Sequence, residues 1–356
     1  MVSVLRGHRL SLGPKMEEFE DRVCRYVGQD FGIAVSSGTA GLHLCIRALG
    51  IGTGDEIIVP SFTFVAAANA VRYEGATPVF VDIERRCLNL DPSLLEAAIT
   101  PRTRAILAVH TFGCPADMQA ILEIAHRHRL RVIEDACEAM GARYQGRHVG
   151  CFGDAAVFAF YPNKQITTGE GGLVVTGEPH LAREIRAMRN HGRYESDEWH
   201  QHSILGYNYR LSEIHCALGC AQMRRLPEIL ALREHVARRY EALLKDVTAL
   251  VLPPTVVPAI RLSWFVYVVR LAEQFSQDQR DAVVRLLHQR GIGCGRYFAP
   301  IHSQPAYADL PLRRALPVTE SVSRRAVALP FFSRLDDERV GRVTRVLREC
   351  IEAMSG

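Results

Sequence analysis

The chain has 356 residues, 48% of them hydrophobic and 23% charged, with a formal net charge of +4. This balance suits an ordinary globular protein able to bury a large core, and so small a charge without a Lys/Arg block argues against nucleic acid as a partner. Ten cysteines without a C-x-x-C pair give neither a disulfide framework nor a zinc site, which points to a reducing cytoplasm.

No apolar run reaches membrane-spanning length, and the start, MVSVLRGHRLSLG, lacks the core of a signal peptide. After VSSGTAG, Leu42, Cys45, Ile46 and Leu49 recur on one helical face. GTGDE then turns the chain into a strand at Ile57-Ile58-Val59, and TPVFVD and RAILAVH read as two more. Asp117 can cap a helix carrying Ile121, Leu122 and Ala125, after which RVIED is again a strand. Ala155–Phe160 and Leu173–Val175 follow. Strands separated by helices predict an α/β fold whose mostly parallel sheet is flanked by helices. In such sheets the working residues gather at the carboxyl ends of the strands.

The character changes near Leu226, where a charged helical stretch runs to about Asp246 and leads into the proline-rich LPPTVVP. Beyond it a strand over Trp264–Leu271 and helices near Asp278–Gln289, Glu320–Val327 and Asp336–Ala353 are expected. The predicted organisation is a large domain over 1–246, with 226–246 as its connecting helix, and a smaller α+β domain over 247–356.

Four local signals carry chemistry. SSGTAG sets small residues and hydroxyls at a helix mouth, which seats a phosphate or simply caps the helix. Phe64, just past a strand, offers a flat face to a planar ligand or fills the core. Glu134-Asp135 ends a strand, where a carboxylate meets a cation or caps a helix. In FAFYPNKQITTGEGG, Lys164 follows an apolar strand inside a turn framed by Gly169, Gly171 and Gly172. Such a residue is either a plain loop lysine followed by a glycine hairpin or, held out of water, one that can shed its proton and form an imine. Taken in this order, the four supply what pyridoxal 5'-phosphate (PLP) needs: a phosphate seat, a stacking face, a carboxylate for the ring nitrogen and a lysine for the aldehyde.

The motifs SSGTAGLHL, GDEIIVPSFTFVAAANAV, VIEDACEAMGA, FAFYPNKQITTGEGG, RNHG, LGYNYRLSEIHCALG and YFAPIHSQPAY resemble, nearly end to end, the DegT/DnrJ/EryC1/StrS family of PLP-dependent sugar aminotransferases. The resemblance implies the aspartate-aminotransferase fold, with Lys164 forming the internal aldimine and Asp135 meeting the pyridine nitrogen. It implies that Phe64 stacks on the ring and that Gly38, Thr39 and Ala40 hold the phosphate. Asn208 would reach the phosphate of the partner subunit, making a homodimer with shared sites. His191, Tyr209, Arg210, Tyr297 and His302 match positions facing the sugar.

Three departures stand out. Glu138 occupies a place where the family usually has glutamine, a neutral donor to the cofactor's phenolic oxygen. Ala159 replaces a common serine that adds a hydroxyl to the phosphate. Relatives also begin with a further segment before LSLGPKMEEFE, so a longer start or a missing arm is expected. The implied activity moves an amino group from L-glutamate to a nucleotide-linked keto sugar, foremost a 4-keto-6-deoxyhexose. Alternatives are an aminocyclitol aminotransferase using glutamine and a non-catalytic regulatory relative. The related 3-dehydratases have histidine at the place of Lys164, which argues against that class.

Overall fold

The computed structural model describes residues 1–355. Helices α1 (Val2–Leu5) and α2 (Pro14–Val27) precede β1 (Phe31–Val35), α3 (Gly38–Ala48), β2 (Glu56–Pro60), α4 (Ala66–Tyr73), β3 (Thr77–Val81) and β4 (Thr103–Val109). Then come α5 (Met118–His128), β5 (Arg131–Asp135), a hairpin of β6 (Arg143–Tyr144) and β7 (Arg147–His148), β8 (Ala155–Ala159), β9 (Gly172–Thr176) and α6 (Pro179–Arg189). Seven strands form one sheet in the order β1-β9-β8-β5-β4-β2-β3.

Side chains sort by the period of two that a strand imposes. Ile33, Val35 and Val157 join α3, α4 and α6 on one face, while Ala34, Ala156 and Phe158 join α2 on the other. The helix patterns hold locally as well. Ser37 accepts the Ala40 N–H (3.1 Å) to cap α3, and Asp117 accepts the Ala120 N–H (3.3 Å) to cap α5.

The sheet is mostly parallel, as the alternation of strands and helices predicts, but β9 runs against both of its neighbours. Residues 160–171 join β8 to β9 without a helix, and so short a link between adjacent strands reverses the chain. The loop closing this hairpin carries Lys164. Gly172 opens β9 so close to the start of α3 that a Cβ there would lie 2.5 Å from the Ser37 carbonyl oxygen.

The later elements are α7 (Glu213–Leu244), β10 (Leu250–Val251), β11 (Ile260–Arg261), β12 (Tyr267–Leu271), α8 (Gln277–Gln289), α9 (Pro317–Arg325), β13 (Ala326–Leu329) and α10 (Asp337–Ser355). Strands β10, β12 and β13 form an antiparallel sheet, and β11 joins the β6–β7 hairpin. A second core gathers on that sheet from the far half of α7, α8 and α10.

Three expected boundaries move. Helix α7 starts at Glu213 and runs through Pro227, so the change of character at Leu226 falls inside one helix. Ala326 and Val327 belong to β13 rather than to a helix, because Ala326–Leu329 is buried throughout and pairs with β12. The ladder of β12 begins at Tyr267 rather than Trp264, because the residues just before it are tied to the large sheet's loops. The Ser263 N–H donates to the Gly113 carbonyl (3.0 Å), and its Oγ donates to Met140 (2.5 Å). Gly113 sits at φ +83°, and a Cβ there would fall 1.7 Å from the Ser263 carbonyl oxygen, so only glycine admits this contact.

Candidate active site

The parallel strands all end at one sheet edge, and the loops leaving it enclose a cavity of about 390 Å³. Such a volume suits one small molecule. Its wall takes Ser37, Gly38 and Thr39 from the start of α3, Thr63 and Phe64 after β2, and Asp135, Cys137 and Glu138 from the end of β5. The β8–β9 loop adds Tyr161, Asn163, Lys164, Glu170 and Gly171, and residues beyond α7 add Phe265, Tyr297 and Phe298.

Lys164 is held from several sides. Its N–H closes a turn on the Tyr161 carbonyl (3.0 Å), and Gly169 (φ +86°) and Gly171 (φ +154°) bring the loop back to the sheet. Its Nζ lies 3.5 Å from Glu138 Oε1 and 4.2 Å from the centre of the Phe265 ring. The next residue, Gln165, spans the site: its Nε2 donates to the Glu138 carbonyl (2.5 Å) and to the Ser263 carbonyl (3.1 Å).

Asp135 is the last residue of β5, and its Oδ1 accepts the Cys137 N–H (3.1 Å). Its neighbour Glu134 projects to the opposite face of the sheet and is fully buried. There Glu134 accepts His110 Nε2 (3.0 Å) and the amides of Gly150, Phe152 and Gly153 (2.8, 2.7 and 2.9 Å). Ala116 N–H donates to His110 Nδ1 (3.0 Å), so the ring proton belongs on Nε2, facing Glu134. Burial pushes the Glu134 carboxyl up, but His110 and the amides outweigh it and hold the group below the usual range. This anchored pair fixes the strand end from which Asp135 faces the cavity.

Glu138 is buried, and its Oε2 accepts the Phe112 N–H (2.9 Å). Burial raises its carboxyl above the ordinary value of 4.5, against the opposing pull of Lys164. A carboxyl raised in the folded state contributes stability that is fully present below its unfolded pKa and is lost as pH rises through the folded value. Glu138→Gln should remove that loss. Thermal unfolding of the cofactor-free protein from about pH 4.5 upward should show a flatter profile for the variant than for wild type. Identical slopes would mean that Glu138 is not held protonated.

The amides of Gly38 and Thr39 lie in the first turn of α3, where N–H groups have no carbonyl partner within the helix and the helix dipole is positive. A Cβ on Gly38 would lie 2.8 Å from Cys137 Sγ and 2.9 Å from Ala159 Cβ, so glycine lets the helix mouth close onto β8. Ala159 brings a methyl to this wall and no hydroxyl. These features fit the implied cofactor: anion donors, a carboxylate and an amine share one cavity of the right size.

Of the thirteen residues given a catalytic, cofactor or sugar-facing role from the sequence, the cavity collects seven: Gly38, Thr39, Phe64, Asp135, Glu138, Lys164 and Tyr297. Ala40 lies one position deeper, its amide taken by Ser37. His302 stands behind the wall, with Nδ1 2.7 Å from Ser61 Oγ. His191, Asn208, Tyr209 and Arg210 lie together outside the cavity. Arg210 donates to Asn190 Oδ1 (3.0 Å), Tyr209 reaches His43 (3.2 Å), and Asn208 is exposed with its backbone bridged to Asn190. Tyr161 and Asn163 were missed although they flank Lys164, and that proximity was the available signal. Phe265, in SWFVY, had no local signal. A wider cleft of about 640 Å³ beside α6 is rich in arginine but holds no lysine, so the smaller cavity is the candidate.

A sheet of this topology, with a lysine on the β8–β9 loop facing a carboxylate and a helix mouth, defines an aminotransferase of the aspartate-aminotransferase fold. The chain belongs to the DegT/DnrJ/EryC1/StrS aminotransferase family, whose profile matches residues 1–348. It is 43% identical over 341 residues to GDP-perosamine synthase of Caulobacter vibrioides, covering 96% of this chain and 91% of that one. Among solved structures it is similar to S. venezuelae DesV in complex with a ketimine intermediate, at 40% identity and TM-score 0.92, covering 99% of this chain and 93% of DesV. It is also similar to the PLP form of Spr1654 from Streptococcus pneumoniae, at 26% identity and TM-score 0.93, covering 99% and 95%.

Proposed function

We propose that this aminotransferase binds PLP and moves an amino group from L-glutamate to a nucleotide-linked keto sugar, foremost an NDP-4-keto-6-deoxyhexose. The observation that carries the chemistry is the placement of Lys164. The chain has three lysines, Lys15, Lys164 and Lys245, and the one in the cavity lies between a carboxyl group and an aromatic ring. The relative named GDP-perosamine synthase supports a nucleotide-linked substrate, and the PLP form of Spr1654 supports the cofactor.

When bound, the cofactor supplies an aldehyde and a ring that accepts electrons from a substrate carbon. In our reading the Lys164 amine would hold that aldehyde and would then serve as the base that moves the proton between two carbons. Asp135 keeps the ring nitrogen protonated, Phe64 covers the ring, and Gly38, Thr39 and Ala40 bind the phosphate at the positive end of α3. Glu138, whose carboxyl burial raises, would when protonated donate to the cofactor's oxygen as glutamine does. His191, Tyr209, Arg210, Tyr297 and His302 orient the sugar.

The position of Asn208, exposed and off its own chain's cavity, supports a homodimer in which it completes the partner's phosphate site. We further propose a division into a cofactor-binding unit over 1–246 and a smaller unit over 247–356, which the separate core on β10, β12 and β13 supports. Ten free cysteines support action in the reducing cytoplasm, and no helix among the described residues is long and apolar enough to cross a membrane.

Incubating the enzyme with glutamate and a panel of nucleotide keto sugars, with mass spectrometry of the products, tests the substrate class. An aminated nucleotide sugar is the expected product. Amination of free keto-inositols alone would overturn the assignment.

A further inference from the structure

Arg233, near the middle of α7, is 5% exposed, and among the described residues no carboxylate pairs with it. Its guanidinium donates to three backbone carbonyls instead: Nη2 to Lys164 (2.9 Å), Nη1 to Phe265 (3.1 Å) and Nη1 to Trp264 (3.4 Å). Its Nε has no partner, and the guanidinium lies 5.6 Å from the centre of the Phe331 ring. Burial lowers its pKa to about 10, which leaves it charged at neutral pH. A buried cation without a counter-ion is costly, and carbonyl donation offsets that cost only in part.

The three carbonyls belong to two segments that meet at the cavity. Lys164 is on the β8–β9 loop, and Trp264 and Phe265 are on the strap entering β12. One side chain therefore fixes both the backbone bearing the amine and the backbone bearing the ring 4.2 Å beneath it. Gln165 also ties the β8–β9 loop to this strap through the Ser263 carbonyl, and to the loop after β5 through the Glu138 carbonyl.

We infer that Arg233 is a positioning residue for Lys164, acting through the Lys164 carbonyl and the Phe265 ring. This rests on Lys164 being the reacting amine of the proposed function. A planar fork reaches three carbonyls at once, whereas the single ammonium of lysine lacks the fork. Arg233→Lys should therefore loosen the loop against the strap.

The test reads Lys164 directly. Cofactor-free protein is alkylated with formaldehyde and cyanoborohydride, and each lysine is followed by peptide mass spectrometry, with Lys15 and Lys245 as internal references. In wild type the Lys164 side chain is 14% exposed and its amine lies over Phe265. Arg233→Lys should raise its relative alkylation rate about fivefold, the scale of one lost cation–π contact. In the loaded enzyme kcat should fall roughly 10²-fold, as for a misplaced reacting group, with the KM for glutamate little changed.

Phe265→Leu removes the ring alone and should give the same rise in alkylation, which keeps the inference testable if Arg233→Lys fails to fold. Arg280→Lys is the control. Arg280 is also buried and holds the Ser323 and Ala326 carbonyls (2.9 and 3.0 Å), but it lies off the cavity wall and should leave Lys164 unchanged. Unaltered alkylation in both Arg233→Lys and Phe265→Leu would overturn the inference. So would an equal effect from Arg280→Lys, which would reduce Arg233 to general packing. Borohydride trapping of the cofactor on Lys15 or Lys245 in the wild-type enzyme would remove the assignment of Lys164, and this inference with it.

Discussion

A Lys164→Ala chain should fold and form no aminated sugar above background, a loss of at least ~10⁴-fold. The amine has two roles in the proposed chemistry, holding the cofactor's aldehyde and moving the proton, and the substitution deletes both. Folding should survive, because the turn is held by backbone hydrogen bonds and by Gln165 rather than by the lysine side chain. Product mass spectrometry beside a thermal melt checks both halves. Turnover within about tenfold of wild type would refute the role, because one positioned acid–base group alone is worth more than that.

The same variant tests the proposed shared site. If Asn208 serves the partner, Lys164→Ala and Asn208→Ala chains complement each other in a mixed dimer. One site then carries both defects, and the other pairs an intact Lys164 with an intact Asn208. About half of the wild-type activity should return, as two independent symmetric sites require. Purified mixed dimers no more active than either parent would exclude a site built from two chains.

Asp135→Asn should lower kcat by roughly 10³-fold with little effect on folding, the scale on which one preorganised electrostatic group acts. The amide oxygen of asparagine can still accept the Cys137 N–H that Asp135 Oδ1 accepts at 3.1 Å, so the strand end keeps its local bond. The negative charge is what disappears, and a neutral amide cannot keep a ring nitrogen protonated. The anchored Glu134–His110 pair behind it should hold β5 in place. Near-normal kcat with an intact melt would show that the charge of Asp135 is not used.

Much of this site was legible before any fold existed. Lys164 in its glycine-framed turn, Asp135 at a strand end and Gly38-Thr39 at a capped helix mouth are each set by a few adjacent residues. Strand ends, turns and caps are local, so their residues carry the signal themselves. Glu138 was legible as an acid in a place usually held by an amide. Its upward shift was not, because that comes from burial, against the pull of Lys164 and of a Phe112 amide contributed by the loop after β4.

The amino-acid sequence by itself determined the α/β alternation, the family and the candidate residues for the proposed chemistry. Period, caps and turn residues act over spans of a few positions. Only the tertiary structure decided that Phe265 lies beneath the lysine and that Arg233 fixes both backbones. Those arrangements join segments remote in the chain. They arise when the strap before β12 is tied onto Gly113, Met140 and Gln165 at the sheet edge, and no periodicity in the sequence records which distant carbonyl a buried guanidinium will meet.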